Sequence, residues 1–293
     1  MLQRIWVMSD LHGSYFPIED FWNRNKDNIN FSPDIDCIIL LGDTGTNYYF
    51  NKKDKIFKKK LSNYPFSYFC IRGNHEARIS SCVSKNPDSW HIEECFENTV
   101  YIENDYPHIK YALDEPAVYN IPYDVILKSY FNGENGKIFG ENGKILAEAI
   151  FYYCKTLIIP GAYSVDKYYR LHNGWTWFSD EQLSEEEMEK GRHLIEQNDF
   201  KFDLILSHTC PNIYVPTDLF IKVVDQSTVD KTMERYLGTI EYQTNYKLWL
   251  FGHFHQFRIY PKHENSQVIM LYNDKAISLN QWLKDSSVIH KTY

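Results

Sequence analysis

The chain lacks most of the features that would place it at a membrane, outside the cell or on a nucleic acid. Its six cysteines (Cys37, Cys70, Cys82, Cys95, Cys154 and Cys210) contain no C-x-x-C pair. That excludes a thiolate zinc site of the usual spacing and a thioredoxin-type redox motif. Several of them sit in apolar runs, so they are expected to be reduced, buried small residues. No stretch approaches the ~20 apolar residues that span a bilayer. The opening MLQRIWVMSDLHG carries no signal-peptide pattern, its apolar part being too short for an h-region. The expectation is a cytoplasmic chain with no membrane partner. Positive charge is also in short supply, with 31 Lys and Arg against 39 Asp and Glu and a formal net charge of −8. A broad nucleic-acid-binding face needs the opposite excess, so extended nucleic acids are disfavoured as partners. Internal repeats and low-complexity linkers are missing too, and residues 1–293 read as a single domain.

What is present suits a folded α/β protein. The hydrophobic fraction is 43% and the aromatic fraction 16%, with 23 Tyr and 18 Phe, a composition that fits sheets and pocket walls. Short apolar runs recur and each ends in a polar turn: Arg4–Asp10, Asp36–Asp43 and Pro65–Asn74. Between the first two, Ile18, Phe21, Trp22 and Ile29 stand near helical spacing. Between the second and third lies the segment NKKDKIFKKK, whose six Lys read as a solvated helix face, with a phosphate-binding patch as the alternative. This strand–helix rhythm predicts βαβ units and a mainly parallel sheet. The middle of the chain carries hairpin-like signals, among them ALDEPAVY and Asn-Gly pairs at Asn132, Asn135 and Asn142. Ser184 and Glu187 predict a capping box for a helix running to about Asn198. FDLILSHTCP and YKLWLFGHFH repeat the pattern of an apolar strand with a polar end, and QVIMLYND reads as part of an antiparallel ending.

Five strand ends gather chemistry: SDLHG (Asp10, His12), GD (Asp43), GNHE (Asn74, His75), SH (His208) and GHFH (His253, His255). In an open α/β sheet, loops at the carboxyl ends of strands converge on one rim, where ligands bind. Taken singly, most of these are ordinary: Gly-Asp makes turns, and a lone His near a strand end is usually only hydrogen-bonded. GNHE is more specific, because a core strand has little packing reason to end that way. GHFH would set two imidazoles on one side of an extended segment. The combined set of carboxylate, amide oxygen and imidazole, without thiolate, suits manganese first, with iron, zinc or nickel as alternatives.

The ordered set D-x-H, GD, GNHE, H, GHxH resembles the calcineurin-like metallophosphoesterases, and it covers the chain from Asp10 to His255. The resemblance implies a four-layer α/β/β/α sandwich of two mixed sheets with a dinuclear centre of two divalent metal ions. It also implies roles: Asp10, His12 and His255 on one metal, Asn74, His208 and His253 on the other, and Asp43 bridging. His75 would act as general acid or transition-state stabiliser, with Glu76 either orienting its ring or capping the next helix. Two such ions clamp the attacking and leaving oxygens of an in-line displacement and lower the pKa of a bound water, making hydroxide available at neutral pH. The implied activity is hydrolysis of phosphoric esters, mono- or diesters, on a phosphorylated substrate that the motifs leave unidentified. Alternatives are a Ser/Thr-type phosphoprotein phosphatase, a nuclease or nucleic-acid end-processing phosphatase, and a non-catalytic scaffold.

Substrate contacts are read from departures and from the loop that follows the apolar run Leu157–Ile159. IRGNHE is close to the form seen in Ser/Thr protein phosphatases, which makes Arg72 a candidate phosphate contact, with a salt bridge as the alternative. Asn47, also a candidate substrate contact, stands where that branch has Arg, and losing a bidentate phosphate grip weakens the phosphoprotein reading. The stretch Gly161–Gln182 resembles one in a largely uncharacterised bacterial and phage branch of the superfamily. Lys167 and Arg170 are candidate phosphate contacts there, with an Asp166–Arg170 pair as the structural alternative. Trp175 and Trp177 either stack on a base or pack the loop down, the latter being favoured.

Overall fold

A computed structural model describes residues 4–128, 138–139, 145–220, 225–261 and 266–282. The Asn-Gly pairs at Asn132, Asn135 and Asn142 lie outside the described residues. The first half of the chain holds β1 (Arg4–Met8), α1 (Phe16–Asn25), β2 (Asp36–Leu41), α2 (Lys52–Leu61), β3 (Ser67–Ile71), α3 (Ile79–Lys85), β4 (Trp90–Cys95), β5 (Asn98–Glu103), β6 (Ile109–Tyr111), β7 (Ala117–Lys128), β8 (Ile138–Phe139) and β9 (Ile145–Ile159). The second half holds α4 (Lys167–His172), α5 (Glu185–Gln197), β10 (Leu204–Ser207), α6 (Thr232–Gln243), β11 (Leu248–Phe251), β12 (Arg258–Ile259), β13 (Gln267–Met270) and β14 (Ile277–Ser278).

Two mixed sheets result. One runs β14-β1-β2-β3-β6-β5-β4 and the other β12-β13-β11-β10-β9-β7, with β8 on β9. Their centres are parallel: β1, β2, β3 and β6 in the first, and β9, β10, β11 and β13 in the second. A parallel strand covered on both faces reads as an unbroken apolar run, and β2, DCIILL, is buried at every position. Ile5, Val7, Ile39, Leu41 and Ile71 of the first sheet meet Ile158, Leu204, Leu206 and Leu250 of the second in one shared core. The opposite face of the first sheet packs Met8, Ile38, Leu40 and Tyr68 under Ile18, Phe57, Leu61 and Ile79 of α1, α2 and α3. The opposite face of the second packs Leu157, Ile205 and Trp249 under Met188, Ile195, Met233 and Leu237 of α5 and α6. The layers are therefore α/β/β/α, as the motifs imply.

Local signals set several ends. Asn51 caps α2 by accepting from Lys53 N–H, and Ser184 with Glu187 forms the expected capping box on α5. ALDEPAVY, in contrast, is no hairpin: β6 belongs to the first sheet and β7 to the second, so the segment is a crossing between layers. One of its two acidic residues has another task, since Asp114 accepts from Ile79 N–H and Ser80 N–H at the start of α3. A hairpin does join β4 to β5, through Phe96 and Glu97, both at positive φ. A primed turn normally recruits Gly or Asn, which is why this one carries no sequence signal. The end of the chain is also more mixed than expected. Within QVIMLYND, β13 pairs in parallel with β11 and only β12 runs antiparallel to it.

Candidate metal centre

All five motif loops leave the carboxyl ends of parallel strands on one rim. Asp10 follows β1, Asp43 follows β2, Asn74 follows β3, His208 follows β10, and His253 and His255 follow β11. Asp10, His12, Asp43, His253 and His255 all have φ between 47° and 73°. Left-handed backbone is uncommon outside glycine and costs of order 1–3 kcal/mol when enforced. Five such residues at one rim mean the loops are bent to point donors inward at the expense of backbone comfort. Gly42 and Gly252 permit the bend. A Cβ on Gly42 would run into His208 Nδ1 and stand 2.8 Å from Gly73 Cα, and one on Gly252 would run into Ser9 Oγ.

The donors form three overlapping groups, each with its ligand atoms within 4.8 Å of one another: Asp10, His12 and His255; His12, Asp43 and His75; and Asp43, His208 and His253. Asp43 takes part in two of them. Its Oδ2 lies 3.4 Å from His208 Nε2 and 3.9 Å from the Nε2 of both His12 and His75. His12 Nε2 and His255 Nε2 are 2.9 Å apart, and His255 Nε2 is 3.7 Å from Asp10 Oδ1. Asn74 Oδ1 lies beside the third group, 2.9 Å from His208 Nε2. The GHFH histidines do not lie side by side on an extended segment. The two left-handed residues split them, so that His253 faces His208 and His255 faces His12.

Two buried carboxylates sit here, Asp10 at 0% and Asp43 at 1% exposure. Among the described residues, neither forms an ion pair with Lys or Arg. Burial raises Asp10 to about 7. Burial also pushes at Asp43, but the His208 and His75 charges hold it well below the usual carboxylate range. Burial lowers His75 and His255 to about 4 each and lowers His12 and His253 as well. A neutral imidazole is the form that ligates metal. His208 alone goes the other way: burial opposes its charge, yet Asp43 and Asp10 raise it to about 9. With no metal bound, the protonated His208 is the cation that answers Asp43 and Asp10. Two buried carboxylates, a directed amide oxygen and four imidazoles held neutral make a donor set that divalent ions fit.

Beside these groups opens a cavity of about 470 Å³, lined by His12, Asp43, His75, Arg170, Tyr48 and Trp175 among others. His75 Nε2 and Nδ1 lie 2.5 and 2.6 Å from Arg170 Nη2. A neutral ring has one acceptor nitrogen, so one of the two accepts at a time. Arg170 is itself held by Asp166 at 2.7 Å, the pairing weighed from the sequence, and by Thr176 O at 3.1 Å. Lys167 does not line the cavity; its Nζ lies 4.2 Å over the Trp177 ring. Arg72 and Asn47, candidate substrate contacts, do not line it either, and for Arg72 the ion-pair alternative is what is seen, 3.6 Å from Asp114 Oδ1. The Arg72 guanidinium is buried, donating to Glu181 O at 2.7 Å beside Asp114, and Asn47 accepts from the buried Lys58 Nζ at 2.8 Å. Glu76 neither orients His75 nor caps a helix: it accepts from Gly45 N–H and Gly73 N–H and so ties two motif loops together. Tyr48 and Lys53 reach the cavity without having been singled out as its walls, and the half-exposed Trp175 lines it rather than only packing the loop down. Lys53 belongs to the lysine-rich helix and lies over Tyr49, so that segment is more than a solvated face.

An oxygen-and-imidazole rim at the strand ends of an α/β/β/α sandwich defines the protein as a metal-dependent hydrolase of phosphoric esters. The chain belongs to the calcineurin-like phosphoesterase family, whose model matches residues 3–257. That family uses a dinuclear centre of divalent ions. A search of curated proteins finds no match. Similar solved structures include TT1561 of Thermus thermophilus, at 12% identity over 96% of each chain with a TM-score of 0.44. A phosphopantetheinyl hydrolase from Mycobacterium tuberculosis is 14% identical over 93% of this chain and 90% of that one, with a TM-score of 0.41. A dimetal phosphatase from Danio rerio is 11% identical over 92% and 87%, with a TM-score of 0.44. All three scores are under 0.5, so the family assignment rests on the sequence model and the site. No described helix is long and apolar enough to cross a membrane.

Proposed function

We propose that the chain hydrolyses the P–O bond of a small phosphorylated molecule, monoester or diester, with the departing alcohol seated in the 470 Å³ cavity. The observation that carries this reading is His75: it stands within 3.9 Å of Asp43 on one side and opens onto that cavity on the other. Asp10, His12 and His255 would hold one divalent ion, Asn74, His208 and His253 the other, and Asp43 both, with manganese the first metal to test. Bound there, the ions supply charge for the phosphoryl oxygens and acidify water. This chain's own residues do the rest. Arg170 is placed to grip a phosphoryl oxygen with the guanidinium edge that now faces His75. His75, neutral while Arg170 faces it, is placed to hydrogen-bond the departing oxygen as transition-state stabiliser, or to act as general acid once Arg170 turns to the phosphate and the substrate's negative charge raises its pKa. Tyr48 and Trp175 wall the space for the organic part.

The test is a panel of phosphomonoesters and phosphodiesters with added Mn²⁺, run beside His75→Ala. Turnover on small esters, with loss of rate but not of metal in the variant, is the expected result. No turnover by a metal-loaded protein on either ester type would overturn the reading.

A further inference from the structure

The loop of residues 161–182 leaves the end of β9 and comes back to where it began. Ser164 lies near its start and Glu181 near its end, at 1% and 2% exposure, against Asn74 at 2%. Asn74 Nδ2 donates to Ser164 Oγ at 2.8 Å, and Ser164 Oγ donates to Glu181 Oε2 at 2.6 Å. Ser164 N–H donates to the other oxygen, Glu181 Oε1, at 2.8 Å.

The order of donors in this chain follows from chemistry. An ionised carboxylate only accepts, and a serine hydroxyl has one proton. Glu181 draws that proton, which leaves the Ser164 lone pairs facing Asn74. Asn74 must then present its NH₂ to Ser164, and its oxygen turns toward His208 and the second metal position. An amide in the opposite orientation would aim N–H groups at the cations. We propose that Glu181 and Ser164 are positioning residues that lock the oxygen end of Asn74 onto the second metal position; this rests on the reading of Asn74 as a ligand. Two acceptor oxygens are needed at residue 181, because Ser164 sends it both a backbone and a hydroxyl proton. Gln has only one.

The loop is fastened independently of this relay. Arg72 Nη1 donates to Glu181 O at 2.7 Å and Gly161 N–H to Arg72 O at 2.9 Å, contacts that use the loop's own backbone and survive side-chain changes at 164 and 181. Glu181→Gln and Ser164→Ala should therefore leave the loop in place while releasing the amide. Partners one shell out from a metal ligand typically control its affinity by about 10–100-fold.

The experiment is calorimetric titration of Mn²⁺ into metal-stripped Ser164→Ala, Glu181→Gln and the unaltered chain, repeated for Ser164→Ala in an Asn74→Asp background. One of two sites should weaken by about 10–100-fold in each single variant. Asp carries oxygen at both ends, so in that background Ser164→Ala should cost less than about threefold. An equal loss in both backgrounds, or no loss in either single variant, overturns the proposal. Asn74→Ala separates the two levels of the argument. If it keeps both sites at full affinity, the ligand reading itself fails. If it loses one site while Ser164→Ala and Glu181→Gln lose none, the positioning role alone fails.

Discussion

At the scale of single residues, Asp43 and His75 carry opposite expectations. Asp43 faces His12, His75 and His208 at once, so Asp43→Ala should strip metal from both positions, whereas Asp10→Ala should empty mainly one. Metal content per chain, measured after gel filtration, distinguishes them. His75→Ala should keep its metal and lose about 10²–10⁴-fold in kcat, the usual range for a positioned acid. An activated aryl phosphate, whose leaving group needs no proton, should recover most of that loss. His208 sets a pH dependence of the metal-free chain. Its pKa is raised from 6.5 to about 9, mainly by Asp43 against the opposing effect of burial. A raised folded pKa gives stability that is complete below 6.5 and lost as pH climbs through the folded value. With chelator present, the melting temperature should therefore fall between about pH 7 and 9, and in Asp43→Ala, which leaves only Asp10 to raise His208, that fall should shrink markedly. Metal takes the neutral imidazole, so its binding releases this proton and tightens over the same interval.

At the scale of elements, strand ends and their glycines decide the site. Gly42→Ala would push a methyl into His208 and Gly73 from a φ of +85°, and Gly252→Ala would push one into Ser9. Each should destabilise the chain by at least about 2 kcal/mol, read as an earlier urea midpoint, with metal affinity falling in step. The motifs at these ends were plain in the sequence because ligand chemistry there overrides packing: no core strand needs GNHE or GHFH. The supporting contacts were less legible. Arg72 looked like a phosphate contact and is instead a buried brace under Glu181, because a guanidinium beside a motif is equally at home in the loop behind it. Arg170 could be placed only once α4 had brought it to His75, 95 positions away in sequence. Strand partners were illegible for a similar reason. ALDEPAVY has hairpin composition, yet its flanking strands join different sheets, a choice made by the burial of whole faces rather than by the turn.

At the scale of the whole molecule, net charge constrains the substrate. A chain of formal charge −8 repels a polyanion at long range, and the cavity offers Arg170 and Lys53 as its cationic walls. Two local cations suit one or two phosphate groups, not a strand threaded across the surface. A nucleic-acid enzyme of the same chemistry would have to hold several phosphates and would show it in salt. A single strand gripped at about four phosphates should lose about a hundredfold in affinity between roughly 50 and 300 mM salt, from a slope of about −0.7 per phosphate. A small ester held mainly at the metal centre should change by less than about threefold in kcat/KM over the same range, and any drift should be upward as salt screens the protein's own negative field. Measuring kcat/KM against salt for a small phosphoester and for a short oligonucleotide, with Mn²⁺ fixed, tests this directly. A flat profile on the ester with negligible oligonucleotide turnover is the expected pair of results. Efficient oligonucleotide cleavage that collapses with salt would instead place an extended phosphate track on this acidic surface and move the substrate to nucleic acid.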